Sequence, residues 1–295
     1  MNKKLSQIIA SASPIEIIGN ADINISGIAS DSRKIAKGWL FVAVHGVNID
    51  GHKFIPDVIA AGACAVVCEK FPEKTPDGVT FVKVANSAAA LGHIASEWYD
   101  NPSNELKLVG VTGTNGKTTT ATLLYEMTRM MGYKTGLFST VCNYIDTKPV
   151  PATQTTPDQI TLNKLMREMV DNGCEYAFME VSSHAADQHR IDGLNFAGGI
   201  FSNLTRDHLD YHKTVDAYLK AKKRFFDILP ADAFALVNAD DKAGLVMLQN
   251  TAATKKTYSL MKDADFKCKV IESRLNSSLL QINNREVEVL FTGKF

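Results

Sequence analysis

One stretch limits the fold of this chain more than any other: "LVGVTGTNGKTTT", Leu108 to Thr120. The segment "LKLVGVTG" is an apolar, β-branched run ending in glycine, as expected of a buried parallel strand. "TNGK" then places a turn former, a glycine and a lysine together. In "TTTATLLYEMTRMMG", Leu123, Leu124, Met127, Met130 and Met131 recur at helical spacing before Gly132, which predicts a helix with a glycine stop. Strand, glycine turn and helix start aim backbone N–H groups and a helix N-terminus at a phosphate. Lys117 would reach the β- and γ-phosphates, and the Thr118 hydroxyl would sit on Mg²⁺. The strict GxxxxGK[ST] pattern is not met, because Val111 stands five before Gly116. The plain alternative is a chance Gly-Lys-Thr in a βα turn. With strand and helix both in place, the expectation is a loop, Gly113 to Thr119, that binds a nucleoside triphosphate, ATP.

Composition narrows the class. At 295 residues there is room for two domains. Lysine plus arginine balances aspartate plus glutamate at 32 each, so charge gives no case for nucleic acid or an acidic membrane surface. No apolar run approaches a membrane span, and the start "MNKKLSQIIASASP" lacks a long apolar core. The five cysteines (Cys64, Cys68, Cys142, Cys174, Cys268) form no CxxC pair, which fits reduced thiols in a cytoplasmic protein. Metal binding by Cys64 and Cys68 is a poor alternative, since "AGACAVVCEKF" reads as a buried strand.

The first hundred residues alternate helix-like ("KLSQIIASA", "FIPDVIAAGA", "SAAALGHIASEWYD") and strand-like segments ("GWLFVAVHG", "CAVVCEK", "VTFVKVA"). "NPSNE" follows as a linker candidate, so the expected domains are 1–103 and 104–295. The second continues as α/β: strands "YAFMEVS", "FAGGIFSNL" and "AFALVNADD" interleave with helices "TLNKLMREMVDNG" and "VDAYLKAKKRFFDIL". A doubly wound, mostly parallel sheet is expected, with ligands at its carboxyl edge. From Phe266 short alternating strands suggest an antiparallel meander. The sequence stops at "EVLFTGKF", which suggests a fragment whose second domain is incomplete.

Three strand ends gather polar residues. In "QTTPD", Thr155 and Thr156 offer hydroxyls, although Asp158 also suits an ordinary N-cap. In "MEVSSHAADQHR", Glu180 ends an apolar strand and is placed to hold Mg²⁺ as Walker-B acids do, or to cap the next helix. Ser182, Gln188 and Arg190 follow it. A Ser/His/Asp hydrolase reading of "VSSH" lacks the G-x-S-x-G elbow. In "SNLTRDHLDYH", Arg206 could hold a phosphate, and His208 could take a metal or a proton. Downstream, "YLKAKKRFF" carries Lys220, Lys222, Lys223 and Arg224. A basic exposed face is the default there, and the residues alone do not select one lysine.

Together, "GTNGKTTT", "TTPD", "MEVSSHAADQHR" and "NLTRDHLDYH" closely resemble the Mur ligases, and within them the MurE type, the UDP-N-acetylmuramoyl-L-alanyl-D-glutamate ligases. "SDSRKIAKGWLFVAVHGVNIDGHKFIPDVIAAGACAVV" is similar to that family's UDP-binding N-terminal domain. The resemblance implies an ATP-dependent, ADP-forming ligase of peptidoglycan precursor synthesis. A carboxylate of UDP-N-acetylmuramoyl-L-alanyl-D-glutamate attacks the γ-phosphate, and the amine of a diamino acid (meso-diaminopimelate or L-lysine) then attacks the acyl phosphate. Carried over, Gly113, Thr114, Asn115, Gly116, Lys117, Thr118 and Thr119 bind ATP, and Thr118 and Glu180 hold Mg²⁺. His208 matches a second metal ligand, and Lys222 the lysine that becomes a carbamate. Thr155, Thr156, Ser182, Gln188 and Arg190 would bind the muramoyl-dipeptide, and Ser30, Ser32, Val47, Asn48 and Ile49 the uridine nucleotide. A chain lacking the family's C-terminal domain is the expectation, and with it no efficient turnover; a monomer without nucleic-acid or membrane partners is also expected. Two other readings remain: a folylpolyglutamate synthetase-like ligase, which would bind folates, and a P-loop switch protein without ligase chemistry.

Overall fold

The computed structural model describes residues 2–46, 49–207 and 209–290. Its first sheet is built from short runs covered on both faces. Strands β1 (Glu16–Ile18), β2 (Gly27–Ala29), β3 (Trp39–Val42), β4 (Ala65–Cys68) and β5 (Thr80–Lys83) lie in the order β1-β5-β4-β3-β2, parallel except for edge β1. Alternation along each strand sends side chains to two cores. Leu40, Val42, Val67 and Val82 pack on helix α2 (Ser87–Trp98), while Phe41, Val66 and Phe81 pack on α1 (Ile55–Ala60).

The second sheet has eleven strands: β6 (Lys107–Thr112), β7 (Thr135–Phe138), β8 (Cys142–Ile145), β9 (Lys148–Pro151), β10 (Tyr176–Glu180), β11 (Gly198–Phe201), β12 (Phe234–Asn238), β13 (Thr254–Ser259), β14 (Phe266–Ser273), β15 (Ser278–Ile282) and β16 (Arg285–Val289). Their order is β9-β8-β7-β10-β6-β11-β12-β13-β14-β15-β16. Strands β7, β10, β6, β11, β12, β13 and β14 run parallel. The hairpin β8–β9 and the meander β14–β16 are antiparallel additions at either side. Helix α3 (Lys117–Met130) covers one face; α4 (Gln159–Asp171), α6 (Val215–Asp227) and α7 (Lys242–Met247) contribute to the core on the other, with the short α5 (Ser183–Asp187). From β6 the chain turns toward β7 on one side and, after β10, crosses to β11 on the other. The carboxyl ends of β6, β10 and β11 therefore meet at the switch point, where doubly wound sheets leave a crevice.

Three features add to the sequence reading. Of the five apolar residues that mark α3, Leu124 packs partly buried against the sheet and the other four stay exposed. Leu123, Met127, Met130 and Met131 are 46, 52, 87 and 66% exposed, whereas Ala121, Tyr125 and Thr128 are buried. Ala121 and Tyr125 pack with Val109, Val111 and Phe178 on the sheet, so a small residue and one ring fill a space a row of methionines would overfill. "NPSNE", between the two sheets, is an ordered segment: Pro102–Asn104 forms a 3₁₀ turn with Pro102 and Ser103 buried, and Ser103 Oγ accepts from the Asn195 N–H at 3.0 Å. The hairpin β8–β9, strands β7 and β13 and helix α7 carried no clear sequence signal.

All five cysteines are free, and burial pushes the Cys68 thiol up to about 11. Among the described residues no helix is long and apolar enough to cross a membrane.

Candidate functional site

The glycine-rich loop is held from the strand beside it. Gly113 has φ +151°, and a Cβ there would lie 1.9 Å from Ser202 Oγ, so only glycine fits. Ser202 Oγ donates to Asn115 O at 2.6 Å. Asn203 accepts from Thr114 N through its carbonyl (2.8 Å) and from Asn115 N through Oδ1 (3.0 Å). The Thr114 and Tyr218 hydroxyls meet at 3.1 Å. Gly116, at φ +85°, caps α3, and the N–H groups of Lys117, Thr118 and Thr119 begin the helix without intrahelical acceptors. The loop thus presents donors at the positive end of a fourteen-residue helix.

Acids and lysines converge on it. Glu180, 1% exposed, ends β10; it accepts from Thr118 Oγ1 at 2.9 Å and from the Thr140 N–H at 2.7 Å. It does not cap the following helix: Ser182 does, accepting from the Ala185 N–H. Lys117 Nζ turns back onto Gly113 O (3.0 Å) and Thr114 O (2.9 Å), and burial lowers its pKa. Lys222 Nζ reaches the same Gly113 carbonyl at 2.8 Å and lies 4.6 Å from the Tyr218 ring centre. Burial, then repulsion from Lys117, brings the Lys222 amine down to about 7.

The structure therefore makes the selection that the basic run alone could not. Lys220 pairs with Asp216, Lys223 with Asp227 and Arg224 with Asp192, while Lys222, 1% exposed, faces the loop.

A cavity of about 450 Å³ is lined by Lys117, Thr118, Thr140, Glu180, Arg190 and Lys222, among others. Thr155 is half-buried at its wall, accepting from Thr140 Oγ1 at 3.1 Å. The Thr156 hydroxyl has a scaffolding role, donating to Glu180 O at 2.7 Å and accepting from the Ser182 N–H. Asp158 caps α4 through the Ile160 and Thr161 N–H groups, so the plain reading of that residue holds. Hard oxygens at Thr118 and Glu180, in a space open to phosphate and water, suit Mg²⁺. Among the described residues no group of three or more His, Cys, Asp or Glu is arranged to hold a metal by itself.

A second cavity, about 590 Å³, lies between the two sheets and is lined by Ser30, His45, Asn86, Gln188, Arg190 and Tyr211, among others. Arg190 lines both cavities. Its guanidinium is mostly buried, and its acceptors among the described residues are neutral: Gln188 Oε1, Gln154 Oε1 and the Thr156 carbonyl. Its pKa is lowered by that burial, and a cation so placed favours an anionic ligand. Next to it, Asn86 Oδ1 accepts from the Ala89 N–H, so its NH₂ faces His189 Nε2 at 3.1 Å. His189 Nδ1 in turn lies 2.8 Å from both Asp192 Oδ2 and Arg224 Nη2.

Ser32 begins the turn Ser32–Lys34 and lines neither cavity, and Ile49, 61% exposed, also lines neither, although its carbonyl accepts from the N–H of Gly46 in the wall of the second. Val47, Asn48 and His208 lie outside the described residues. Thr140, Gln154, Asn86 and Tyr211 join the site without having been singled out. Tyr211 stood within "HLDYH" and Asn86 before an alanine-rich helix, but nothing local marked Thr140.

Residues 24–99 match the model described as Mur ligase family, catalytic domain, and residues 111–295 that of the Mur ligase middle domain. The UDP-N-acetylmuramoyl-L-alanyl-D-glutamate--2,6-diaminopimelate ligases of Bacteroides fragilis and Phocaeicola vulgatus are 57% and 60% identical to it over 292 residues, each alignment covering 99% of this chain and 60% of the relative. The chain thus spans about 60% of the length of these curated relatives. A solved structure of a ligase of that name superposes with a TM-score of 0.80 at 26% identity, covering 98% of this chain and 59% of the other. With the middle-domain model matching well over half of its residues, the chain belongs to the Mur ligase family.

Proposed function

We propose that this chain carries the nucleotide-sugar and ATP sites of a ligase that joins 2,6-diaminopimelate to UDP-N-acetylmuramoyl-L-alanyl-D-glutamate. The relatives' names supply the substrates, and the position of Arg190 carries the reading. Its side chain borders both the inter-sheet cavity and the phosphate-loop cavity. A long ligand with its uridine end near Ser30 would pass Arg190 and bring a carboxylate to Lys117 and Thr118. The two sheets and the two matched spans support a division near residue 103. A monomer in the cytoplasm fits this reading.

The chemistry follows from charge. A carboxylate oxygen must approach the γ-phosphorus of ATP, two anions in line, with ADP leaving. Lys117, the helix N-terminus and the loop N–H groups offset the repulsion. Thr118 and Glu180 would hold Mg²⁺, which when bound screens the phosphate oxygens. The diamino acid's amine then attacks the acyl carbon, and inorganic phosphate leaves. Lys222, with its amine near neutrality, can react with CO₂ to give a carbamate, a carboxylate-like group beside the loop.

Calorimetric titration with UDP-N-acetylmuramoyl-L-alanyl-D-glutamate tests the proposal. Arg190→Ala is expected to weaken binding at least tenfold while leaving Mg·ATP affinity within twofold. A folded wild-type chain that does not bind the sugar-peptide overturns the reading.

A further inference from the structure

Arg190 can grip an anion only while its guanidinium edge is held. Two of its donors, Nε and Nη2, go to Gln188 Oε1 at 3.1 and 2.6 Å. A glutamine amide has nearly the same shape either way round, and with its NH₂ toward Arg190 donor would face donor. The other end of the amide settles this. Gln188 Nε2 donates to the Tyr211 hydroxyl at 3.2 Å, and that hydroxyl donates to Asp187 Oδ2 at 2.8 Å. The Asp187 carboxylate can only accept, so the phenolic proton points to it and the oxygen's lone pairs face Gln188. Burial raises the Tyr211 pKa, which keeps that proton in place.

The ring is held separately, with its centre 4.2 Å from His184 and 4.7 Å from His212; His212 Nε2 in turn lies 2.9 Å from Ser183 Oγ. Tyr211, Gln188 and Arg190 line the same inter-sheet cavity. We propose that Tyr211 is a positioning residue: the one-way relay Asp187–Tyr211–Gln188 fixes the amide so that its oxygen braces Arg190 for the peptide carboxylate. The inference rests on the sugar-peptide reading above.

Tyr211→Phe removes the relay and keeps the ring. Calorimetry on the whole chain would compare UDP-N-acetylmuramoyl-L-alanyl-D-glutamate with the same nucleotide sugar lacking its dipeptide. The variant is expected to bind the first about tenfold more weakly and the second unchanged, with unaltered thermal unfolding. In a Gln188→Ala background the same substitution should add less than about twofold, because the relay is already broken. Equal affinity of wild type and variant for the sugar-peptide overturns the inference alone. So does a loss that is equal for both ligands or undiminished in the Gln188→Ala background. Failure of the wild-type chain to bind the sugar-peptide overturns the functional reading and the inference with it.

Discussion

Lys222→Met is the perturbation whose size the structure lets us work out. Folding carries this amine from an ordinary 10.5 to about 7 because it is buried and because Lys117 lies beside it. The sign follows from proton counts. Between these values the unfolded chain holds a proton on Lys222 that the folded chain lacks, so folding stability rises with pH across that window. Below about 7 both states are protonated and the burial penalty is complete, about 5 kcal/mol at 1.36 kcal/mol per pKa unit. Above 10.5 both are neutral and the penalty vanishes. Methionine has similar length and no charge, but it forfeits the bond to Gly113 O, about 1 kcal/mol. The variant is therefore expected to be the more stable near pH 7, with its advantage shrinking by about 2 kcal/mol between pH 7 and pH 9. Urea unfolding of both proteins in CO₂-free buffer measures the difference, and groups shared by the two cancel. A difference independent of pH would show that Lys222 keeps its proton when folded and would remove the physical case for its reaction with CO₂.

Other substitutions separate structural from chemical roles. Gly113→Ala is expected to lose about 2 kcal/mol or more of unfolding free energy, because the new methyl strikes Ser202 and the φ of +151° remains strained; a neutral result would refute the loop geometry. Glu180→Gln retains an acceptor for Thr118 but loses its charge, so Mg·ATP should bind at least tenfold more weakly while metal-free ATP changes little, measured by titration with and without chelator. Asp192 is buried, which alone would raise its pKa, but bonds from His189 and Arg224 bring it net below the ordinary carboxylate value. Its contribution is present at neutral pH and lost as pH falls through its folded pKa, so Asp192→Asn should flatten the acid limb of the stability profile in denaturant melts.

The sequence made legible whatever depends on neighbours along the chain. Strand β6, the glycine turn and the start of α3 announce themselves because one contiguous run holds all three, and the meander beyond Phe266 shows as plain alternation. Other features depend on contacts far apart in sequence. Lys222 is one of four basic residues within five positions, and only the 109-residue return to Gly113 distinguishes it. Thr140 is an unremarkable threonine until β7 and β10 pair and bring its N–H to Glu180. The buried face of α3 has the same origin: spacing reports that a helix is amphipathic, but the sheet beneath decides which residues fit.

That distinction bears on how the phosphate loop works. Its backbone is fixed by Ser202 and Asn203, which follow β11 and not the loop's own helix. The N–H groups of Lys117, Thr118 and Thr119 at the helix start therefore need little rearrangement to meet a phosphate. Lys117 is different, since its amine is bonded to the carbonyls of Gly113 and Thr114 and must exchange both to reach a phosphate oxygen. Gly113 O would not be stranded by that movement, because Lys222 already donates to it from the other side. Two lysines on one carbonyl thus have separable jobs: one is free to swing toward a ligand, and the other keeps the strained glycine satisfied while it does so. Removing Lys222 should then weaken triphosphate binding even with no metal present, since each swing of Lys117 would leave a buried carbonyl without a donor.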